Sequence, residues 1–112
     1  MEEKDNLTIE EVIEIIKNIS YERMEIYRDP FYAIENLEFM AKYGFEEDDV
    51  KMIVKELTAK DLIKGPVDDY NSEKFMHPCW IFLTFIKSIK VKVYIKIKII
   101  NHKTKVLVYK IH

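Results

Sequence analysis

Residues 91–99 read V-K-V-Y-I-K-I-K-I, a strict alternation of apolar and polar side chains. A period of two is typical of a β-strand that has one buried face and one exposed face. The odd-numbered side chains are all aliphatic and predict the core face. The other face carries three lysines around one tyrosine, namely Lys92, Tyr94, Lys96 and Lys98. We expect this second face to meet water or an anionic ligand.

Residues 105–112 read K-V-L-V-Y-K-I-H and predict a second strand, which forms a hairpin with the first through a loop at 102–104. The pairs expected on the polar face are Lys98–Val108, Lys96–Lys110 and Tyr94–His112, and those on the core face are Ile99–Leu107, Ile97–Tyr109 and Ile95–Ile111. Like charges that face each other destabilise a sheet. We therefore interpret the Lys96–Lys110 pair as a site for an anion.

The two halves of the sequence carry opposite charge. Residues 1–57 contain seven Lys or Arg and sixteen Asp or Glu, a net charge of −9, whereas residues 58–112 contain eleven Lys and four acids, a net charge of +7. One basic half on an acidic protein indicates a local site for a polyanion. The alternative is a sheet whose exposed face simply carries solvated lysines.

The composition predicts a single domain over residues 1–112, helical at about 8–64 and a β-meander at about 79–112. Cys79 is the only cysteine, which excludes a disulfide framework and a cysteine-based zinc site. We predict no metal and no cofactor, because the three histidines lack metal-ligand spacing and there is no glycine-rich phosphate loop. Without a membrane-length apolar run or a signal peptide, we expect a cytoplasmic protein with no membrane partner.

Three helices are predicted ahead of the strands. The first begins at a capping box formed by Thr8 and Glu11, the second begins near Pro30 and ends at Gly44, and the third follows the acids of residues 46–49. The expected buried stripes are Ile9, Val12, Ile13, Ile16 and Ile19; Ala33, Ile34, Leu37, Met40 and Ala41; and Val50, Ile53, Val54 and Leu57. A loop over 66–78 and an apolar strand from Cys79, covered on both faces, lead into the hairpin. This order predicts an α+β domain, with three helices on one face of a small antiparallel sheet.

Residues of the polar face could cleave RNA without a metal. When the 2′-hydroxyl attacks its own phosphate, the protein must accept one proton, donate another and stabilise charge around the phosphorus. Histidine transfers protons near neutral pH, tyrosine can donate a hydrogen bond, and lysine can hold a phosphate. Tyr94 and His112 are the candidates, although an ordinary strand tyrosine and a frayed terminal histidine would look the same.

These features together resemble the motility quorum-sensing regulator (MqsR) family of toxins. The motifs that carry the resemblance are residues 33–45, Asp61-Leu-Ile-Lys64-Gly-Pro, Trp80-Ile-Phe, the strand 93–99 with its Tyr94-x-Lys96 motif, and the closing strand 106–112. The resemblance implies a RelE-like fold and a ribosome-independent mRNA endonuclease of a toxin–antitoxin system, with mRNA and a cognate antitoxin as partners. Two positions depart from the family pattern, which has glutamine where this chain has Ile81 and lysine where it has His112.

The leading hypothesis is therefore an endoribonuclease toxin. By the resemblance its catalytic residues are Lys64, Tyr94 and His112, and the polar face supplies the RNA-binding residues Lys92, Lys96, Lys98 and Lys110. A second hypothesis is a non-catalytic RNA-binding module that uses the same face. A third is a protein–protein adaptor whose lysine face binds an acidic partner.

Overall fold

The computed structural model describes residues 7–28, 33–67, 78–100 and 103–112, and these form an α+β fold. The elements are α1 (Ile9–Asn18), β1 (Met24–Ile26), α2 (Ile34–Tyr43), α3 (Glu47–Lys55), β2 (Leu62–Val67), β3 (Cys79–Ile86), β4 (Val91–Ile100) and β5 (Lys105–Ile111). The five strands form one sheet in the order β1-β5-β4-β3-β2. Because β1 runs parallel to β5 and the other neighbours are antiparallel, the sheet is mixed rather than purely antiparallel.

The predicted start of α1 and the predicted end of α2 are confirmed, whereas α3 begins at Glu47, within the acids that it was expected to follow. At the start of α1, the Glu11 N–H donates to Thr8 Oγ1 at 3.2 Å and the Thr8 N–H donates to Glu11 Oε1 at 2.9 Å. This reciprocal pair is the predicted capping box. Gly44 ends α2 with φ 69°, a left-handed conformation that favours glycine. The predicted start of α2 at Pro30 lies outside the described residues.

Two strands are missing from the sequence prediction. β1 has only three residues, too few to show a period, and it lies within the part predicted to be helical. β2 includes Lys64-Gly65-Pro66, which the sequence predicts as a turn because glycine and proline are depleted in strands. β2 is an edge strand, where a proline is tolerated since one side of the strand needs no ladder hydrogen bonds.

The helices pack on the face of the sheet that carries the odd-numbered side chains of β4. The main core cluster joins α1 and α3 to Val93, Ile95, Ile97 and Ile99, all of which are buried. Trp80 and Phe82 of β3 belong to the same cluster, so the tryptophan is a core residue. The sheet face that carries the even-numbered side chains of β4, here called the outer face, lies opposite.

A β-bulge between the two halves of the β4–β5 pairing changes part of the predicted register. Up to the bulge the prediction holds, with Lys96 paired with Lys110 and Ile95 with Ile111. Beyond it, the observed pairs are Ile97–Val108, Lys98–Leu107 and Ile99–Val106. Leu107 and Tyr109 therefore lie on the outer face rather than in the main core, as their separate apolar cluster shows. Alternation cannot reveal the extra residue, because residues 106–109 are all apolar and fit either face.

Helix α2 buries only part of the predicted stripe. Ala33 is buried and Met40 packs against the core as expected. Ile34 and Leu37, however, are 45% and 37% exposed, whereas Asn36 is fully buried.

The amide of Asn36 forms hydrogen bonds with the backbone of Tyr109 and Ile111, in the part of β5 that extends past its last pair with β1, Ile26–Val108. Buried backbone polar groups must be paired, and these hydrogen bonds account for the rotation of this helix.

Gly65 makes a close contact between β2 and β3. Its φ is +149°, and a Cβ atom there would lie 3.1 Å from Trp80 Cα.

We expect Gly65→Ala to lower the free energy of unfolding by about 2 kcal/mol, because the added methyl group strains the backbone and lies too close to main-chain atoms. Urea unfolding measures this, with Gly44→Ala as the matched control. Gly44 also has a positive φ but no neighbour within 4 Å, so a loss at Gly65 no larger than that at Gly44 would contradict the close contact.

Candidate nucleic-acid interface

Three lysines from three strands lie in one row across the outer face. Lys64 on β2 pairs with Ile81 on β3, Ile81 pairs with Lys96 on β4, and Lys96 pairs with Lys110 on β5. Directly paired residues of antiparallel strands project to the same face. We call Lys64, Lys96 and Lys110 the lysine row. The sequence alone predicts Lys64 in a turn, whereas in the structure it lies on strand β2, in line with Lys96 and Lys110. The apolar side chain of Ile81 lies between Lys64 and Lys96 in this row.

Tyr94 and His112 form a ring pair beside this row. Their backbones exchange two hydrogen bonds, of 2.8 Å and 3.0 Å, and their rings stack with centroids 5.8 Å apart and an interplanar angle of 21°. Both residues are exposed. The hairpin therefore holds the phenol and the imidazole next to each other on the surface, as the predicted Tyr94–His112 pairing requires.

An exposed aromatic ring lies further along the outer face. Phe85 pairs with Lys92 and is 54% exposed. The sequence predicts β3 to be covered on both faces, but Phe85 shows that its outer side is open at this end. Bases of single-stranded nucleic acid stack on aromatic side chains next to cations. Phe85 is thus a binding candidate that the unbroken apolar run of β3 concealed.

Lys98 is separated from the other predicted RNA-binding lysines. It is fully buried, and its Nζ lies 4.8 Å from the centroid of the Tyr109 ring, at the distance of a cation–π contact. Tyr109 in turn stacks on Tyr27 with centroids 5.3 Å apart. The outer face is therefore covered at this end of β4. The expectation that Lys98 lies on an exposed surface is corrected. The cations of the interface that solvent reaches are Lys64 and Lys92, which are exposed, and Lys96 and Lys110, which are half-buried.

A carboxylate that the sequence analysis did not identify lies against the row. Glu35 Oε1, in the first turn of α2, is 3.0 Å from Lys110 Nζ. The hydrogen bond from Lys110 and its charge lower the pKa of Glu35, and the charges of His112 and Lys96 act in the same direction. Glu35 is therefore ionised at neutral pH. An exposed glutamate on a helix has no distinguishing pattern, so only the packing of α2 reveals it.

Asn36 fixes the first turn of α2 against the strand that carries Lys110. Its Nδ2 donates to the carbonyl of Tyr109 at 3.1 Å and to the carbonyl of Tyr27 at 2.9 Å, and its Oδ1 accepts from the N–H of Ile111 at 2.8 Å. Two of these groups flank Lys110 in the chain. Since Glu35 directly precedes Asn36, the same contacts hold the Glu35 backbone next to the lysine row.

Within the ranges that the structure describes, no group of three or more His, Cys, Asp or Glu residues is arranged to hold a metal ion. Among the helices of these same ranges, none is both long enough and apolar enough to cross a bilayer. The interface thus consists of lysine, tyrosine, histidine, glutamate and an aromatic ring.

Comparison with known proteins gives no match for this chain among protein-family models, curated proteins or solved structures. The resemblance to the MqsR family therefore rests on the motifs alone and stays a prediction. The function has to be inferred from the geometry and chemistry of the outer face.

Proposed function

We propose that this protein is a metal-independent endoribonuclease that cleaves single-stranded mRNA, and that it is the toxin of a toxin–antitoxin system with a RelE-like fold. The observation that carries the proposal is the exposed ring pair of Tyr94 and His112 beside the lysine row. Proton-transfer, hydrogen-bonding and phosphate-binding groups thereby share one open surface. A cognate antitoxin would be the natural partner, and the cytoplasm, where mRNA is present, the natural location.

The lysines and the aromatic rings supply the binding part of the proposal. Lys92 and the lysine row, on strands β2, β4 and β5, can contact phosphates of an extended strand that crosses the sheet, as ammonium groups do in sequence-independent binding. Phe85 and Tyr94 offer rings on which unpaired bases can stack. These contacts favour single-stranded RNA, because paired bases do not offer their faces for stacking.

The ring pair supplies the chemical part. The RNA 2′-hydroxyl attacks the adjacent phosphorus and loses its proton, while the 5′-oxygen of the next nucleotide leaves and gains one, giving a 2′,3′-cyclic phosphate. His112 is suited to one of these proton transfers near neutral pH. Tyr94 can donate a hydrogen bond to a phosphate oxygen, and Lys64 and Lys96 can stabilise charge that develops around the phosphorus.

We expect the purified protein to cleave mRNA in the presence of EDTA. The products should carry 5′-hydroxyl and 2′,3′-cyclic phosphate ends, because the nucleophile belongs to the RNA itself. Gel electrophoresis and end-group analysis measure this, and RNA with 2′-O-methyl groups throughout is the control that should stay intact. Intact mRNA at every protein concentration, with the fold verified by circular dichroism, would contradict the proposal.

Ile81 favours one alternative, a non-catalytic RNA-binding module. It interrupts the lysine row between Lys64 and Lys96, so the third proposed catalytic residue is separated from the others by an apolar side chain. This alternative predicts salt-dependent binding of RNA without cleavage.

The adaptor alternative predicts no affinity for RNA but a stable complex with an acidic protein. Growth arrest on expression, relieved by the product of the neighbouring gene, would separate the toxin from both.

A further inference from the structure

The pair of like charges at Lys96 and Lys110 already has an anion beside it in the free protein. The carboxylate of Glu35 contacts Lys110 at 3.0 Å, and Lys110 is paired directly with Lys96 across the hairpin. We propose that the Glu35 carboxylate occupies a phosphate-binding position at Lys96, Lys110 and His112, and that an RNA phosphate must displace it to bind there. The inference relies on the proposed function only for the identity of the incoming ligand, a phosphodiester of single-stranded nucleic acid.

The chemistry of the position is that of an anion site. Two ammonium groups that face each other on a sheet repel each other, and a negative charge near them offsets this repulsion. The hydrogen bond and the charge of Lys110 lower the pKa of Glu35 most, and the side chains of His112 and Lys96 act in the same direction. A phosphate diester is also a singly charged anion with two free oxygens, so it can make the contacts that the carboxylate makes.

The geometry allows the carboxylate to leave. The Glu35 side chain is 49% exposed and the Lys110 side chain 27% exposed, and exposed ion pairs of this kind contribute little stability. The backbone of α2 is fixed at the next residue by the hydrogen bonds of Asn36. Rotation of the Glu35 side chain is therefore sufficient to release Lys110, with no movement of the helix.

A role for Glu35 as general base is less consistent with its surroundings. A base must take a proton in the transition state, and efficient bases have a pKa near the working pH. The cations around Glu35 shift its pKa in the opposite direction, away from neutrality. Its ionised carboxylate is therefore better suited to compete for Lys110 than to remove a proton.

The test measures binding of a fluorescein-labelled 2′-O-methyl oligoribonucleotide of mixed sequence by fluorescence anisotropy at several salt concentrations. This probe cannot be cleaved by attack of its 2′-oxygen. Because Glu35→Gln keeps the shape and removes the competing charge, we expect it to bind about three- to tenfold more tightly than the unmodified protein at low salt. Its slope of log K against log salt should steepen by about 0.7, the value for one additional phosphate contact.

Glu38→Gln is the matched control, since it removes the same charge from an exposed position one turn further along α2. We expect Glu38→Gln to change the affinity by less than about twofold and to leave the slope unchanged, because only long-range charge is altered. In a Lys110→Met background the gain from Glu35→Gln should disappear. Equal affinities for Glu35→Gln and Glu38→Gln, or weaker binding by Glu35→Gln than by the unmodified protein, would overturn the inference.

The binding test is independent of cleavage. If mRNA stays intact but Glu35→Gln tightens binding as described, the ribonuclease proposal fails and the displaced carboxylate stands. If mRNA is cleaved and Glu35→Gln leaves the affinity for the oligonucleotide unchanged, the ribonuclease proposal stands and the displaced carboxylate is refuted. If mRNA stays intact and neither the unmodified protein nor the Glu35→Gln variant binds the oligonucleotide, both proposals are refuted.

Discussion

Replacing His112 with alanine should lower the rate of mRNA cleavage by about 100-fold or more, the usual loss when a general acid or base is removed. The stability of the fold should change little, because His112 is exposed and lies beyond the last strand residue, Ile111. Single-turnover cleavage of an end-labelled RNA measures the rate, and urea unfolding measures the stability.

Tyr94→Phe tests the second member of the ring pair. It keeps the ring that stacks on His112 and removes only the hydroxyl group, so we expect slower cleavage with unchanged binding of the uncleavable oligonucleotide. Tyr43→Phe is the control, since Tyr43 packs among the helices against the main core. Unchanged rates in both Tyr94→Phe and His112→Ala would refute the assignment of this site.

Asn36→Ala should lower the free energy of unfolding by about 4 kcal/mol. The substitution removes three hydrogen bonds and leaves the buried carbonyl of Tyr109 and the N–H of Ile111 without the partner they have now. Each buried polar group left unpaired costs about 1–3 kcal/mol. The lost contacts also hold α2 beside β5, so the position of Glu35 should become less defined.

Denaturant unfolding measures this loss, and Asn18→Ala provides the scale for an exposed asparagine. Asn18 lies at the end of α1 and bonds within its own helix, to Glu14, so its replacement should cost about 0.5 kcal/mol or less. Asn36→Asp should also destabilise, because an oxygen would replace the nitrogen that donates to the Tyr27 and Tyr109 carbonyls. If Asn36→Ala lowered the free energy of unfolding no more than Asn18→Ala, the hydrogen bonds of Asn36 would not be a determinant of the fold.

The parts of the fold that follow from sequence are those with an uninterrupted local pattern. Alternation over 91–99 gives β4 and its faces, and caps at Thr8 and Gly44 give the ends of two helices. The β-bulge lies where both faces of β5 are apolar, so no pattern marks it. β1 and β2 are set by the neighbours with which they pair, and such tertiary contacts leave no local period.

The candidate site, like the fold, is predictable from sequence only where an uninterrupted local pattern fixes the position of a residue. Tyr94 and His112 face each other as predicted. Next to the loop, Ile100 pairs with Lys105, one residue away from the register that a loop at 102–104 predicts, and the β-bulge offsets this difference from the Lys96–Lys110 pair onwards. The burial of Lys98 depends on Tyr109, which the bulge turns to the outer face. The contact of Glu35 with Lys110 depends on the rotation of α2, which is set by the hydrogen bonds of the Asn36 amide to β5. Both are consequences of long-range packing.

The central claim, that the outer face is the surface that binds RNA, is tested most directly by nuclear magnetic resonance. The protein labelled with ¹⁵N is titrated with the 2′-O-methyl oligoribonucleotide, and the shift of each backbone amide is followed. We expect small shifts in α1 and α3. The largest shifts are expected at the exposed and half-buried positions of the outer face, namely Lys64, Phe85, Lys92, Tyr94, Lys96, Lys110 and His112. Shifts confined to the helices, with the outer face unaffected at saturation, would contradict the claim.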